Sequence, residues 1–294
     1  MASLVSNLTI NTDDDWQTII SNIANGIYPR IGGGSFKQVY RGPDNKVYAT
    51  EQIVTNNATF LFDRLKNIRK RVEKHVLIPD RYVERDGTRY WEMDHCQADL
   101  DAATGKTGGI LKTFTIAELL VNFVELEKTV SDLHDAGITA MDIKPANMLF
   151  ICAEGDRSIQ MTDLDGSRID GMGKANLTLY FTYLKFEENY IKQDLFALYT
   201  SFLRIIDESL WDYVPLKWYR TMKDWTDDVI SKLDSREDFQ ADLVRIYLKK
   251  LNALEPTETS IIAHSSVEDI FGLRSVAMQQ SFIKNTANRY IYKL

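Results

Sequence analysis

The sequence predicts an α+β fold in two lobes, a strand-rich N-lobe followed by a helical C-lobe. Short strand-type runs separated by glycine and proline, such as 38–40 and 46–49, fill much of the first third of the chain. Long amphipathic helical patterns dominate from residue 114 onward. The chain has 294 residues, of which 44% are hydrophobic and 26% charged, which is enough for two lobes around a shared cleft. We therefore expect the functional site between the lobes.

The first predicted element is a short helix at 13–24. Its Asp-Asp-Asp start suits the positive end of a helix dipole, and Trp16, Ile19 and Ile23 follow at helical spacing. The other predicted elements are a helix at 58–75, strand-like residues at 88–96, a hairpin-like stretch at 147–164, and helices at 115–136, 191–206, 215–233 and 236–253. These patterns divide the chain into an N-terminal helical extension at 1–27 and one domain at 28–294, with an N-lobe at about 28–95 and a C-lobe at about 96–294.

Composition narrows the class of protein further. The net charge of -7 argues against a general nucleic-acid binder, because neutralising phosphates requires an excess of Lys and Arg. Cys96 and Cys152 are the only cysteines of the sequence, which favours a reducing, cytoplasmic compartment. The sequence shows no signal-peptide pattern and no apolar stretch of membrane-spanning length, although export by a non-classical route is left open.

A glycine cluster is the first motif that carries chemistry. Gly32, Gly33 and Gly34 lie between strand-type runs, where glycines let the backbone approach phosphates and offer them amide N–H groups. Such a cluster alone is usually a plain turn. Here a strand ending Tyr-Ala-Thr-Glu-Gln-Ile follows at 48–53, and the combination predicts a phosphate-binding loop.

Two motifs later in the chain fit phosphoryl transfer. Asp142 is followed five residues later by Asn147, a spacing that suits a catalytic base and a magnesium ligand. Lys144, between them, would stabilise charge on the transferred group. Asp163 follows a short strand, and one carboxylate with one amide oxygen suits Mg²⁺, which takes further ligands from phosphates and water. In the simpler alternative, the pair of Asp142 and Asn147 caps a turn. That alternative leaves the Lys-Pro between Asp142 and Asn147 unexplained.

The order of these motifs resembles the protein kinase superfamily over the segment from Ile31 to Asp194. The Lys-Pro pair after Asp142 is more similar to serine/threonine protein kinases than to aminoglycoside or choline kinases. The resemblance implies a two-lobed protein-kinase-like fold, ATP and Mg²⁺ as cofactors, and a protein substrate with a Ser or Thr hydroxyl. The site residues that it implies are Asp142 as base, Asn147 and Asp163 as metal ligands, and Asp194 as a buried brace of the catalytic loop. The nucleotide-binding residues that it implies are Ile31, Gly32, Gly33, Gly34, Lys37, Val39, Ala49, Met93 as gatekeeper, Asp94, His95 and Cys96 as hinge, and Leu149.

The most consequential departure from the family pattern is Glu51, which stands where the family carries its strand lysine. A carboxylate facing phosphates would repel them. Lys37, however, replaces the last glycine of the loop motif, which is similar to the with-no-lysine kinases. We expect Lys37 and Glu51 on neighbouring antiparallel strands, with Lys37 contacting phosphate and Glu51 orienting it. A buried Glu51 would otherwise lack a partner.

Other departures concern regulation. The helix at 58–75 has no glutamate at the expected family spacing, and its run of Arg and Lys is interpreted as a solvated face rather than a docking patch. Ala140-Met141 replaces the family His-Arg, and the missing arginine predicts that no activation-loop phosphorylation is needed. Asp165 replaces the family glycine after Asp163, either as a cap, which is the favoured interpretation, or as an additional metal ligand.

Three functions remain open from the sequence. The first is a serine/threonine protein kinase, with or without a regulatory protein partner. The second is a pseudokinase that binds nucleotide or a partner without transfer, which Glu51 and Ala140-Met141 favour and the intact Asp142, Lys144, Asn147 and Asp163 oppose. The third is a small-molecule kinase, which the Lys-Pro pair disfavours.

Overall fold

A computed structural model describes residues 12–33, 37–52, 57–94, 98–99, 114–153, 156–172, 183, 186, 189–206, 221–233, 236 and 238–255. In chain order its elements are helix α1 (Thr12–Ala24), strands β1 (Arg30–Gly33), β2 (Lys37–Arg41) and β3 (Lys46–Gln52), helix α2 (Asn57–Val72), strands β4 (Arg81–Arg85), β5 (Thr88–Asp94) and β6 (Ala98–Asp99), helix α3 (Ile116–Asp135), strands β7 (Ile138–Thr139), β8 (Met148–Ala153), β9 (Asp156–Met161) and β10 (Arg168–Ile169), and helices α4 (Tyr190–Ile206), α5 (Met222–Leu233) and α6 (Phe239–Leu254). The chain divides into two compact units, Met1–Asn56 with Ile78–His95, and Asn57–Leu77 with Cys96–Leu294.

The first unit is a five-stranded antiparallel sheet in the order β1-β2-β3-β5-β4, with α1 against it. Trp16 and Ile19 of α1 are buried against Tyr48 of β3, and Ile23 joins the same cluster. Tyr90 of β5 also belongs to this cluster, so α1 covers the sheet face that carries Tyr48 and Tyr90. The residues that alternate with them point to the opposite face.

The second unit contains α2, the later helices and a β-hairpin. Helix α3 begins with a capping box between Thr115 and Glu118. Phe123 of α3 stacks on Phe202 of α4 with ring centroids 3.9 Å apart, and Tyr247 of α6 packs edge-on against Phe202. Strands β8 and β9 pair as the antiparallel hairpin that the sequence predicts at 147–164.

The predicted class is confirmed, since the sheet comes first in the chain and the helices dominate later. Predicted helices at 13–24, 58–75, 115–136, 191–206 and 236–253 match α1, α2, α3, α4 and α6 within a few residues. The helix predicted at 215–233 is observed from Met222, and residues 207–220 lie outside the described part. None of the helices described reaches the length and hydrophobicity that a bilayer-spanning segment requires.

The basic run on α2 is solvent-exposed, as the sequence predicts, since the side chains of Arg64, Arg71 and Lys74 are 38%, 49% and 51% exposed. These three residues also form surface ion pairs, which the sequence did not predict. Arg64 Nη2 lies 2.7 Å from Asp170 Oδ2, and Arg71 Nη1 lies 3.7 Å from Asp132 Oδ1. Just after the helix, Lys74 Nζ lies 2.7 Å from Glu125 Oε2. The run therefore binds carboxylates of the second unit, which a pattern local to the helix does not reveal.

A histidine strengthens the last of these contacts. His75 is buried, and its Nε2 lies 2.8 Å from Glu125 Oε2 while its Nδ1 lies 2.8 Å from the carbonyl oxygen of Ile159. Burial alone would raise the pKa of Glu125, but hydrogen bonds from Lys74 and His75 outweigh it and hold that pKa below its usual range. The residues after α2 are thus fixed to α3 and β9 by charged and buried hydrogen bonds.

Candidate active site

The predicted pairing of Lys37 with Glu51 is confirmed in the first unit. The two residues are directly opposite each other in the antiparallel β2–β3 ladder. Lys37 Nζ lies 3.9 Å from Glu51 Oε2, and their side chains are 25% and 12% exposed. This separation is within electrostatic reach but longer than a hydrogen bond.

Sequence reasoning missed the residue that holds Glu51 from its other side. Arg89 of β5 is opposite Glu51, and its Nη1 donates a 2.7 Å hydrogen bond to Glu51 Oε1. Arg89 also donates to Glu84 Oε1 from Nε at 2.9 Å and from Nη2 at 2.7 Å. The argument that a buried Glu51 would lack any partner but Lys37 is therefore wrong. Arg89 lies far along the chain from Glu51, and only the strand register reveals the contact.

Of the two loop glycines that the structure describes, Gly32 and Gly33, the backbone demands glycine at Gly33. Gly33 has φ 146°, and a Cβ there would lie 2.6 Å from the Lys37 carbonyl oxygen. Gly32 has open space around its Cα, so the structure sets no such demand there. Ile31 is exposed on β1, and Gly34 falls outside the described residues. Gly33 is the last residue of β1 and pairs with Gln38 of β2, the strand that begins at Lys37.

The predicted adenine-binding residues of the first unit share one sheet face. Val39 is opposite Ala49, and Met93 is opposite Val47, two positions along β3 from Ala49. Val39, Ala49 and Met93 therefore lie on the face that carries Lys37 and Glu51, which is the face that α1 does not cover. Ala49 is 1% exposed.

The remaining nucleotide-binding predictions are distributed as follows. Asp94 ends β5, and its Oδ1 accepts a 2.9 Å hydrogen bond from Lys46 Nζ. Leu149 belongs to the second unit, where it pairs with Gln160 in the β8–β9 hairpin. His95 and Cys96 lie outside the described residues.

In the second unit the predicted catalytic residues converge on one carboxylate. Asp142 Oδ2 accepts a 2.6 Å hydrogen bond from Lys144 Nζ and a 3.1 Å hydrogen bond from Asn147 Nδ2. Asn147 Nδ2 also donates to the Asp142 carbonyl oxygen at 3.0 Å. Because the Asn147 amide nitrogen is used in this way, its Oδ1 is the atom left to ligate a metal. The loop therefore brings a carboxylate, an ammonium and an amide oxygen together.

A buried aspartate braces this loop, as predicted for Asp194. Asp194 is 0% exposed and lies on α4. Its Oδ2 and Oδ1 accept hydrogen bonds of 2.7 Å from the backbone N–H groups of Ala140 and Met141. His134 Nε2 lies 3.0 Å from Asp194 Oδ2. Met141 has φ 68°, a left-handed conformation that a bulky residue keeps only when its surroundings hold it.

Asp194→Asn is expected to destabilise the protein and slow any reaction at Asp142. The amide would turn a donor toward N–H groups that now donate to Asp194, leaving at least one buried polar group without its partner. Such a loss costs about 1–3 kcal/mol of unfolding free energy. Chemical denaturation would measure it, and Asp135→Asn, at the exposed end of α3, is the matched control. A variant as stable as the wild type would show that Asp194 does not hold the loop.

The β8–β9 hairpin places Asp163 beside the loop that carries Asp142 and Asn147. Met148 pairs with Met161 at the end of the hairpin, and the Thr162 N–H donates a 2.9 Å hydrogen bond to the Asn147 carbonyl oxygen. Asp163 itself has φ 58° and ψ 42° and is exposed. An amide oxygen and a carboxylate on two adjoining turns are a donor set that fits Mg²⁺, which keeps few protein ligands.

Comparison with known proteins finds no protein-family model that matches the chain. Two matches carry the name "Probable cell division protein kinase" from Encephalitozoon cuniculi (strain GB-M1). One is 28% identical over 151 residues, covering 49% of this chain and 47% of the relative. The other is 28% identical over 176 residues, covering 54% and 52%. The chain thus spans about half the length of the curated relatives it matches.

The matches support a distant protein-kinase-like relationship. Together with the N-terminal antiparallel sheet and the C-terminal helices, they confirm the predicted protein-kinase-like α+β fold.

Proposed function

From this distant relationship to a protein kinase, we propose that the chain transfers the γ-phosphoryl group of ATP to a Ser or Thr hydroxyl of a protein. The observation that carries the proposal is the convergence of Lys144 and Asn147 on the Asp142 carboxylate. A carboxylate held between an ammonium and an amide is suited to position a hydroxyl group and accept its proton.

In the proposed reaction the bond between the γ-phosphorus and the bridging oxygen of ADP breaks while the substrate hydroxyl oxygen bonds to phosphorus. The hydroxyl proton passes to Asp142. The Lys144 ammonium, 2.6 Å from Asp142 Oδ2, stabilises negative charge on the transferred group. Lys37 binds phosphate oxygens, and Asn147 and Asp163 hold Mg²⁺. Mg²⁺, when bound, neutralises charge on the phosphate oxygens.

We further propose that transfer needs no activating phosphorylation. Met141 replaces the arginine that would pair with a phosphate, so an added phosphate would lack that partner. Asp170, seven residues after Asp163, already provides a carboxylate, which accepts a 2.7 Å hydrogen bond from Arg64 Nη2. Gly137 leaves room for it, because a Cβ there would overlap Asp170 Oδ1. A regulatory protein partner and a cytoplasmic location remain predictions from the sequence.

A pseudokinase is the second candidate, and one observation favours it. Glu51 occupies the position of the family lysine, and Arg89 holds its carboxylate through a 2.7 Å hydrogen bond. A fixed negative charge on that sheet face opposes phosphate binding unless Lys37 compensates it. The two candidates therefore differ in whether bound nucleotide is turned over.

Incubation of the wild-type protein with Mg²⁺, γ-labelled ATP and serine- and threonine-containing protein substrates tests the proposal. We expect label on the substrates or on the chain itself, and its loss when EDTA removes Mg²⁺, because the phosphates need the metal charge. Isothermal titration with MgATP separates the alternatives. Binding without label transfer would support the pseudokinase, and absence of both would reject the kinase and leave only a pseudokinase that binds a partner protein without nucleotide.

A further inference from the structure

His75 is a buried histidine that follows helix α2, and the proposed reaction does not use it. Its side chain is 4% exposed. Both ring nitrogens have an oxygen atom 2.8 Å away: Nδ1 faces the Ile159 carbonyl oxygen of β9, and Nε2 faces Glu125 Oε2 of α3. The ring therefore links the residues after α2 to both of these elements.

The two oxygen atoms determine which form of the ring fits. A carbonyl oxygen and an ionised carboxylate only accept hydrogen bonds. Burial alone would raise the pKa of Glu125, but hydrogen bonds from Lys74 and His75 hold that pKa below its usual range, so Glu125 is ionised at neutral pH. Satisfying both oxygens thus requires a proton on each ring nitrogen, which is the imidazolium form. A neutral ring would turn a lone pair toward one of the two oxygens.

Glu125 is the charge on which this form of His75 depends. It faces the ring from α3, and the Lys74 ammonium lies 2.7 Å from the same Oε2 atom. From β9 the ring meets a carbonyl oxygen. Neighbouring charged side chains of α2, α3 and β9 form pairs of their own: Arg69 with Glu73, Arg71 with Asp132, and Arg157 with Glu118.

The segment after α2 also holds the end of β9 through its backbone. The Met161 N–H donates a 2.8 Å hydrogen bond to the His75 carbonyl oxygen, and the Leu77 N–H donates a 2.8 Å hydrogen bond to the Met161 carbonyl oxygen. Ile159, whose carbonyl oxygen the ring binds, lies two residues before Met161, and Asp163 lies two residues after it. His75 therefore fixes the strand end from which the Asp163 turn begins.

We propose that His75, held as an imidazolium, is a positioning residue for the turn that carries Asp163, and that loss of its second proton loosens this turn. An unperturbed histidine side chain loses that proton near pH 6.5. Because the charged ring is the form that satisfies both oxygens, its stabilisation is complete below about pH 6.5 and is lost at higher pH. The inference rests on the proposed function only where it links this turn to phosphoryl transfer, through Asp163 as a proposed Mg²⁺ ligand.

Hydrogen exchange of the backbone amides of residues 159–163, corrected for the intrinsic effect of pH, tests the positioning without nucleotide or Mg²⁺. In the wild type we expect protection of these amides to fall about tenfold between about pH 6 and about pH 8.5, the size expected for losing one charge-assisted hydrogen bond. His75→Gln has no titrating ring and should show no such dependence on pH.

Glu125→Gln is the decisive variant and does not require substitution of the buried histidine. Its amide N–H can donate to Nε2 of a neutral ring, while Nδ1–H still donates to the Ile159 carbonyl oxygen. Protection should therefore stay near the wild-type value at about pH 6 and no longer change with pH. Glu73→Gln is the matched control, because it removes the same charge from a side chain that is 54% exposed and pairs with Arg69. It should retain the wild-type dependence on pH.

Two outcomes would overturn the role of His75: equal protection of the wild type at both pH values, or an equal fall in Glu125→Gln. If His75→Gln does not fold, the wild type and Glu125→Gln still decide between these outcomes. The rate of label transfer from γ-labelled ATP should fall more over this pH interval in the wild type than in Glu125→Gln. If the exchange results hold but the wild type transfers no label at either pH, the proposed function fails and the positioning of the Asp163 turn by His75 stands.

Discussion

Lys37→Ala is expected to reduce phosphoryl transfer by about 10²- to 10³-fold, the range seen when one preorganised charge-stabilising group is removed from an active site. The physical reason is the sheet face on which Lys37 lies. Glu51 and Glu84 place two carboxylates on this face beside the one Arg89 guanidinium, so removal of the Lys37 ammonium leaves a net negative charge beside the proposed phosphate position. The initial rate of label transfer from γ-labelled ATP measures the effect, and MgATP titration should show weaker binding in parallel.

The matched control is Lys249→Ala, which removes an exposed lysine of α6 and should leave the rate unchanged. Glu51→Lys is the informative companion, because it returns a lysine to the family position. We expect no gain in activity, since the new ammonium would face the Arg89 guanidinium that now binds Glu51 Oε1 at 2.7 Å. Full activity of Lys37→Ala would disprove the relocation of the phosphate-binding lysine.

The sequence predicted those parts of the site that are close along the chain or carried by a motif. Lys37 and Glu51 follow from a short hairpin, because antiparallel register places residues on either side of the turn opposite each other. Asp142, Lys144 and Asn147 lie within one loop. Asp194 is remote, but it was found through the resemblance, and its bonds to the Ala140 and Met141 N–H groups bear that out.

The features that were missed depend on long-range register. Arg89 contacts Glu51 only because β3 and β5 are neighbours in the sheet although α2 and β4 separate them in sequence. Strand β4 itself escaped prediction, since Arg-Tyr-Val-Glu-Arg carries too many charges to show a hydrophobic alternation. The ion pairs of the exposed basic residues of α2 were missed because their partners, such as Asp132 and Asp170, lie far along the chain. Charge patterns alone do not reveal which cations of a solvated face are paired by tertiary structure.

Asp142→Asn is expected to lower kcat by about 10²- to 10⁴-fold, the usual contribution of a general base, while leaving MgATP affinity close to that of the wild type. The asparagine amide cannot accept the substrate proton at neutral pH. The loop should nevertheless keep its shape, because Asn147 Nδ2 also donates a 3.0 Å hydrogen bond to the backbone carbonyl oxygen of residue 142, which the substitution leaves in place. Single-turnover label transfer would measure the chemical step, and titration with MgATP would measure binding separately.

The Asp142→Asn substitution is decisive because kcat and MgATP affinity are measured separately. A change that merely unfolded the loop would also disturb Asn147 and, through Thr162, the turn that carries Asp163, so MgATP binding would weaken together with kcat. Asp135→Asn supplies the same chemical change at the exposed end of α3 and should alter neither quantity. Loss of kcat at unchanged affinity would identify Asp142 as the group that acts on the hydroxyl. A kcat near the wild-type value would mean that another group accepts the proton, and the proposed mechanism would fail at its central residue.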